Sequence, residues 1–176
     1  ISDQNGLWAT LRRGPLPGSG EWTQLYCDAG HTSCSNDPIR SPVTIQWVPR
    51  LLSRQIIDRH HRPMAPLFKA GRLFIPANNR IIAMDAYNGT QLWDLAVPNS
   101  RRIGALKDCG HMLCAGDQLY IVVQNHCLAI DAATGTTEQT LHAPQLMVGE
   151  KHDWGYLNHV EPWLIGSGQK ANASFH

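Results

Sequence analysis

One segment of the chain, LFIPANNRIIAMDAYNGT at residues 73–90, returns without a gap as LYIVVQNHCLAIDAATGT at residues 119–136. The offset is 46 residues throughout, and Leu, Ile, Asn, Ala, Asp, Ala, Gly and Thr recur at equivalent positions. Trp47 and Trp93 are separated by the same 46 residues, whereas the next position in that series is Gln139. A third and less similar copy of the repeat begins near Trp163. Repetition at this period indicates a protein built from stacked, equivalent units.

Each repeat is predicted to contain four short β-strands, because runs rich in β-forming residues alternate with polar turns. Asn78-Asn79 is a two-residue polar turn of the kind that joins hairpins. In the first repeat the predicted strands cover residues 64–69, 72–77, 80–85 and 91–97, and Pro66 weakens the first. Four antiparallel strands within about 46 residues match the size of one β-propeller blade.

The predicted fold class is therefore all-β, a partial β-propeller of four-stranded antiparallel blades with about two and a half blades present. Residues 1–20 are predicted to form a linker and residues 21–176 the propeller. Within the propeller we predict an outer strand at 43–48, blades at 63–97 and 110–141, and a partial blade at 154–176. No inner strands precede the predicted outer strand, so we expect a fragment with exposed sheet edges, whose partners are the missing C-terminal blades.

The turn that follows the third strand of each repeat combines an Asp with a Gly four residues later. The Asp can accept hydrogen bonds from turn N–H groups, and the Gly can adopt a positive φ. The Trp on the outer strand can then pack its apolar face against the neighbouring blade. The residues predicted to have this structural docking role, rather than to contact a ligand, are Trp47, Asp85, Gly89, Trp93, Asp131 and Gly135.

The bulk composition is that of a folded protein, with 43% hydrophobic and 16% charged residues. A net charge of +1 gives no reason to expect nucleic acid or an acidic membrane as a partner. No apolar run approaches the ~20 residues that span a bilayer. The chain begins at Ile1 and shows no signal peptide, which we interpret as either removal of a signal or a fragment.

The pattern AMDAYNGTQLW at residues 83–93 resembles the tryptophan-docking motif of the quinoprotein (PQQ-like) β-propeller superfamily, in which Ala-x-Asp-x-x-x-Gly is followed by Trp. Residues 129–135 repeat the motif without the terminal Trp. The superfamily includes pyrroloquinoline-quinone-dependent dehydrogenases and a propeller lipoprotein of outer-membrane protein assembly. The resemblance therefore implies a fold, and it does not select one activity.

Two further segments resemble a narrower group, the large secreted planctomycete-type PQQ-like repeat proteins. They are EWTQ at residues 21–24, continuing to Asp28, and Gln46-Trp47 followed by Arg59-His60-His61. Some of these proteins carry a methyltransferase domain elsewhere, although no such domain lies in these residues. The resemblance implies a periplasmic or extracellular location.

Candidate ligand-binding residues lie in the loops that enter the innermost strand of each unit, because those loops open onto one face of a propeller. The loops at 58–62, 99–108 and 151–154 are rich in Arg, Lys, His or Asp, which suits a small anionic ligand, a cofactor or a protein. An equally simple interpretation is that surface loops are polar in any protein. The candidates are Arg59, His60, His61, Arg62, Arg102, Asp108, His152, Asp153 and Trp154.

No cofactor is expected, although the resemblance leaves PQQ with calcium as an alternative in which Asp108, Asp153 and Trp154 would take part. No two of the five cysteines are adjacent, in contrast to many PQQ dehydrogenases. A metal site is not expected at Cys109, His111 and Cys114, because on a strand Cys114 faces away from the other two. Cys27 with Cys34, and Cys109 with Cys114, are near enough in sequence to form disulfides, but spacing alone does not decide this.

The sequence thus predicts a non-catalytic PQQ-like propeller module that acts as a ligand- or protein-binding scaffold in an exported protein. The alternative is a fragment of a PQQ-dependent quinoprotein oxidoreductase, which a complete set of calcium ligands in further blades would favour.

Overall fold

The structure is a computed structural model that describes residues 2–3, 6–7, 16–38, 40–48, 55–56, 64–101, 110–143 and 148–171. Its strands are β1 (Ser2–Asp3), β2 (Gly6–Leu7), β3 (Leu67–Lys69), β4 (Arg72–Ala77), β5 (Arg80–Asp85), β6 (Gln91–Ala96), β7 (Met112–Ala115), β8 (Gln118–Val123), β9 (His126–Asp131), β10 (Thr137–His142), β11 (His152–Val160) and β12 (Trp163–Lys170). The described residues contain no helix, and therefore none that is long and apolar enough to cross a membrane.

Two of the sheets are four-stranded antiparallel blades in which the strands follow chain order. The first blade has the order β3-β4-β5-β6, and the second consists of β7 to β10 in the same succession. A third unit is the β11–β12 hairpin, while β1 and β2 form a separate two-stranded pair. The prediction of an all-β fold with two blades and part of a third is confirmed.

The middle strands of the blades are apolar on both faces because each face meets a different layer of the protein. In β5, Ile81 and Ala83 belong to the core between the two blades, whereas Ile82 and Met84 point to the opposite face with Trp47. All four are at most 2% exposed. Alternation of side chains along a strand places successive residues on opposite faces, so a run of buried residues marks a strand covered on both sides. The last strand of the second blade, β10, is mostly exposed.

The two blades are joined by an indole that reaches across from one unit to the turn of the next. Trp93 of β6 lies over Gly135, where an added Cβ would be 2.7 Å from Cδ2 of the indole, and donates from Nε1 to the carbonyl oxygen of Ala132 at 3.2 Å. Trp47 lies over Gly89 in the same way and donates from Nε1 to the Ala86 oxygen at 2.9 Å. Both hydrogen bonds join residues 39 positions apart, so the two contacts are equivalent.

The predicted outer strand at 43–48 is not formed, since none of these residues is in a strand. Val43, Ile45 and Val48 are at least 75% exposed, and Trp47 is the apolar side chain through which this segment packs against the first blade. The physical reason is that a strand requires a hydrogen-bonded neighbour, and this segment has none among the described residues. The predicted strand at 64–69 is also shorter, beginning only after Pro66, which lacks an N–H to donate.

The third unit attaches to the second blade without the indole-over-glycine contact that joins the first two units, in keeping with Gln139 at the position where a Trp would recur. Instead, the amide of Trp154 donates to the Gln124 oxygen at 2.8 Å, and that of Leu157 donates to the Gly110 oxygen at 2.7 Å. The side chain of Leu157 is fully buried against the outer face of the second blade.

A segment near the N-terminus, residues 20–38, crosses the first strands of all three units, and we call it the inner segment. Trp22 and Phe68 of β3 exchange two backbone hydrogen bonds of 2.9 and 2.8 Å. Cys114 of β7 donates its amide to the oxygen of Thr23 at 2.7 Å. The buried Gln24 side chain donates to the His159 oxygen of β11 at 3.3 Å and accepts from the His159 amide at 2.9 Å. The inner segment thus ties the three units together where β3 and β11 both contact β7.

The β9–β10 turn of the second blade should make the stability of the protein depend on pH. Asp131 accepts hydrogen bonds from the Thr134 hydroxyl, the Thr134 amide and the Ala133 amide, and these bonds, that of the hydroxyl first, lower the pKa of its carboxyl. A group whose pKa is lower in the folded state stabilises the fold above its unfolded pKa of about 3.9, and the contribution disappears as the pH falls through the folded value.

We therefore expect Asp131→Asn to have a lower melting temperature than the wild type near neutral pH. Between about pH 5 and pH 3, the melting temperature of the variant should fall less than that of the wild type. Thermal unfolding followed by circular dichroism at several pH values measures this. Asp117→Asn, which removes an exposed carboxylate in the β7–β8 turn, is the control and should keep the wild-type slope. Equal slopes for wild type and Asp131→Asn would contradict the assigned role of this turn.

Candidate functional site

A polar cavity of about 360 Å³ lies where the third unit meets the second blade. The β8–β9 turn contributes Gln124 and Asn125, and the start of β11 contributes His152 and Asp153. The other lining residues are Lys151, Ala143 and Ala171. Backbone hydrogen bonds hold this arrangement, since Ala143 donates to the Asn125 oxygen at 2.8 Å and Ala171 donates to the Lys151 oxygen at 2.9 Å. The cavity therefore rests on the ends of five strands, β8 to β12, and is shaped by the backbone.

His152 is a largely enclosed polar side chain of the cavity, with 9% of its side chain exposed. Its Nδ1 atom is buried and has no hydrogen-bond partner among the described residues. The other ring nitrogen, Nε2, faces Glu150 at 3.9 Å, which is an ion-pair distance and too long for a hydrogen bond. A buried polar atom without a partner loses hydrogen bonding relative to water, so Nδ1 is an unsatisfied polar atom beside the cavity, and a bound molecule would reach it only after the ring turns.

Charges of both signs surround the cavity. The lining residues include one cationic side chain, the exposed Lys151, and one anionic side chain, Asp153. Glu150 lies outside the lining and pairs with Lys170 through a contact of 3.2 Å. The lining can therefore attract an anion with Lys151 and accept hydrogen bonds from a ligand with Asp153 and His152.

Three of the nine predicted ligand-binding residues are among those that the structure describes. His152 and Asp153 line the cavity together. Trp154 does not line it: this half-buried side chain packs with the apolar cluster around Leu157 and covers Gly166, where an added Cβ would be 2.1 Å from the indole. The remaining candidates lie outside the described residues: Arg59, His60, His61, Arg62, Arg102 and Asp108.

Two cavity residues, Gln124 and Asn125, were not predicted from the sequence. They occupy the hairpin turn that corresponds to Asn78-Asn79 in the first repeat, so the sequence explains them fully as turn residues. One general feature could have indicated them: the turn between the second and third strands of a blade and the loop that enters the next unit open at the same end of the blade. A second, smaller hollow of about 180 Å³ lies between the blades and is lined mainly by apolar residues of β6, β8 and β9.

The cavity does not suit calcium with a quinone as the fold family would hold them. Among the described residues no three His, Cys, Asp or Glu side chains converge on one point. Asp153 is the one carboxylate of the lining, and Lys151 in the same lining repels a cation. Asp108, the other acidic residue suggested for that site, lies outside the described residues.

The buried cysteines of the second blade are core residues. Burial raises the pKa of Cys114 and of Cys127 to about 12, so both are thiols at neutral pH. They belong to different apolar clusters on the two faces of the blade. His111 is also buried, and Cys109 lies outside the described residues.

Neither a protein-family model nor a curated protein matches the chain. Solved structures do match. The quinohemoprotein alcohol dehydrogenase ADHIIG from Pseudomonas putida HK5 superposes with a TM-score of 0.59 at 18% identity, over 86% of this chain and 23% of that one. A europium-containing methanol dehydrogenase matches with a TM-score of 0.46 and 13% identity, over 60% of this chain and 20% of that one. BamB from Moraxella catarrhalis matches with a TM-score of 0.44 and 17% identity, over 58% of this chain and 33% of that one.

The chain thus spans about a quarter of the length of the alcohol dehydrogenase with which it superposes. At this level of identity the similarity concerns the fold, and the resemblance predicted from the docking motif is confirmed at that level. With its two four-stranded blades and its hairpin, the chain has the fold of the quinoprotein-type, PQQ-like β-propellers.

Proposed function

We propose that the chain is a PQQ-like propeller repeat module that binds a small anionic ligand at the cavity between the second blade and the third unit. The observation that carries this proposal is the buried, unpartnered Nδ1 of His152 in a cavity that Lys151 and Asp153 also line. Further blades of the same propeller are its expected partners, and its location is expected to be periplasmic or extracellular.

The chemistry of the lining favours a carboxylate that also carries a hydroxyl or ammonium group. Lys151 and the side-chain NH₂ groups of Gln124 and Asn125 are donors that suit a carboxylate. Asp153 would repel a second negative charge placed against it, but it accepts a hydrogen bond from a hydroxyl or an ammonium group. Once the ring turns toward the cavity, His152 Nδ1 accepts a hydrogen bond as well when Nε2, on the side of Glu150, carries the proton.

This role is non-catalytic. The cavity combines donors and acceptors for binding, and Glu150, the acidic group beside His152, is already paired with Lys170. The quinoprotein oxidoreductase alternative would need calcium ligands beyond this lining, which contains one carboxylate, Asp153, together with the cationic Lys151.

L-lactate and propionate test the proposal, because each carries one carboxylate and they differ in one hydroxyl group. We expect isothermal titration calorimetry to detect L-lactate binding to the full chain and to show weaker binding of propionate. Lys151→Met should weaken L-lactate binding by about tenfold, since one charge-assisted hydrogen bond contributes on the order of 1.5 kcal/mol.

Lys170→Met is the matched control, because it removes the same charge from the same hairpin but from a residue outside the lining. It should change L-lactate affinity by less than about threefold, the effect of a screened surface charge. Equal losses in the two variants would show that overall charge, and not the cavity, attracts the ligand. No binding of either acid to the wild type would contradict the proposed ligand class.

A further inference from the structure

The inner segment contains two cysteines, and the sulfur of one contacts the backbone of the other across a short loop. The Sγ atom of Cys27 lies 3.2 Å from the carbonyl oxygen of Cys34 and 3.3 Å from that of Glu21. Cys27 is 4% exposed, whereas Cys34 is exposed. Both are free thiols in the structure. The buried sulfur is thus positioned against the backbone of the residue that carries the exposed one.

The loop between the two cysteines is organised by its own hydrogen bonds. Asp28 accepts from the Thr32 amide at 3.1 Å and from the Thr32 hydroxyl at 2.5 Å. The Ser33 amide donates to the Tyr26 oxygen at 2.9 Å, which brings together the residues that precede the two cysteines. The cysteines are therefore held near each other without a covalent bond, and an exposed Cys34 side chain can change rotamer without disturbing any packing.

Positive φ angles accumulate in this loop at residues other than glycine. They occur at Tyr26, Cys27, His31 and Ser33, with values of 55°, 86°, 55° and 53°. Such conformations are unfavourable for residues with a Cβ and persist where other interactions hold them. A covalent bond between the ends of the loop would supply such an interaction.

We propose that Cys27 and Cys34 form an intramolecular disulfide that locks the inner segment onto the first strands of the three units. Cys34, as the exposed thiol, reacts first with a low-molecular-weight disulfide such as glutathione disulfide. Its thiolate attacks one sulfur, a mixed disulfide forms and one glutathione thiol leaves. The Cys27 thiolate then attacks the Cys34 sulfur and displaces the second glutathione thiol.

The overall reaction oxidises two cysteine thiols by two electrons and reduces one glutathione disulfide to two thiols, to which the two protons pass. The chemistry of Cys27 agrees with its acting in the second of these two reaction steps. Burial, followed by the nearby Asp28 and by Cys34 itself, raises the pKa of the Cys27 thiol, so it is the poorer first nucleophile. Cys114 and Cys127 are buried thiols in the second blade and are not expected to react.

Treatment of the reduced full chain with glutathione disulfide tests the proposal. In a Cys109→Ser background, intact mass spectrometry should show the loss of two hydrogen atoms, and titration of the denatured protein should find two of the four thiols remaining. Peptide mapping should link Cys27 to Cys34. In Cys27→Ser, the reaction should stop at the glutathione adduct on Cys34, whereas Cys34→Ser should gain neither the adduct nor the internal bond.

Hydrogen exchange tests whether the bond locks the segment. The amides of Phe68, Cys114 and His159 donate to the inner segment from three different units. Their exchange should be slower by on the order of tenfold in the oxidised protein than in the reduced one, because closing the loop disfavours local opening. Cys34→Ser should exchange at the reduced rate under both conditions. A stable glutathione adduct on wild-type Cys34, a different cysteine pairing, or unchanged exchange after oxidation would each overturn the proposal.

Discussion

Trp93→Ala is expected to lower the free energy of unfolding by about 3–5 kcal/mol, the range for removing a buried Trp or Phe side chain. The indole is 9% exposed, lies in the core shared by the two blades and has its ring centroid 5.9 Å from that of Phe74. Its removal leaves a cavity beside Gly135 and leaves the Ala132 carbonyl oxygen without its indole donor. Equilibrium unfolding in urea measures the loss.

Trp163→Ala is the matched control for this experiment. The side chain of Trp163 is of the same size but is 69% exposed on β12, so its removal should change the free energy of unfolding by less than about 0.5 kcal/mol. A loss for Trp93→Ala no greater than that for Trp163→Ala would show that the indole does not dock one blade on the next.

Gly135→Ala is expected to cost about 3 kcal/mol, from two separate causes. The residue has a φ of +77°, which costs an alanine on the order of 1 kcal/mol. The added Cβ would also lie 2.7 Å from Cδ2 and 2.9 Å from Cε3 of the Trp93 indole, which cannot move away without leaving the core. Overpacking of this kind contributes roughly 1–3 kcal/mol more.

Gly116→Ala separates the two causes. Gly116 also has a positive φ, +55°, but no atom lies within 4 Å of an added Cβ, so only the backbone cost of about 1 kcal/mol applies. In a Trp93→Ala background, the cost of Gly135→Ala should fall to that of Gly116→Ala, because the clash is removed and the conformational cost stays. Identical costs of Gly135→Ala in both backgrounds would contradict a direct contact between glycine and indole.

The strands of the two blades could be predicted from the sequence because their signals are local. Asn78-Asn79 marks a hairpin turn, Asp85 and Gly89 mark the next turn, and the offset of 46 residues transfers both assignments to the second blade. The propeller-type fold follows from the repeat, since equivalent units of this size bury their faces only by stacking side by side. A strand at 43–48 was predicted on the same local grounds and is absent, because a strand also needs a hydrogen-bonded neighbour, which its own sequence does not specify.

The candidate site depended on the tertiary structure. His152 and Asp153 were suggested by their loop, but their meeting with Gln124 and Asn125 results from the amide of Trp154 bonding to the β8–β9 turn. No pattern in either segment reports a hydrogen bond between residues so distant in the sequence.

What the sequence by itself determined is the repeating unit: its strands, its turns and the spacing of the two tryptophans. The tertiary structure decided how the inner segment crosses three units through Trp22, Thr23 and Gln24, and which polar side chains share a cavity. The physical reason is the distance along the chain over which each kind of interaction acts. Turn chemistry and strand alternation act between neighbouring residues and repeat with the chain, whereas these contacts form only after separate units have packed together.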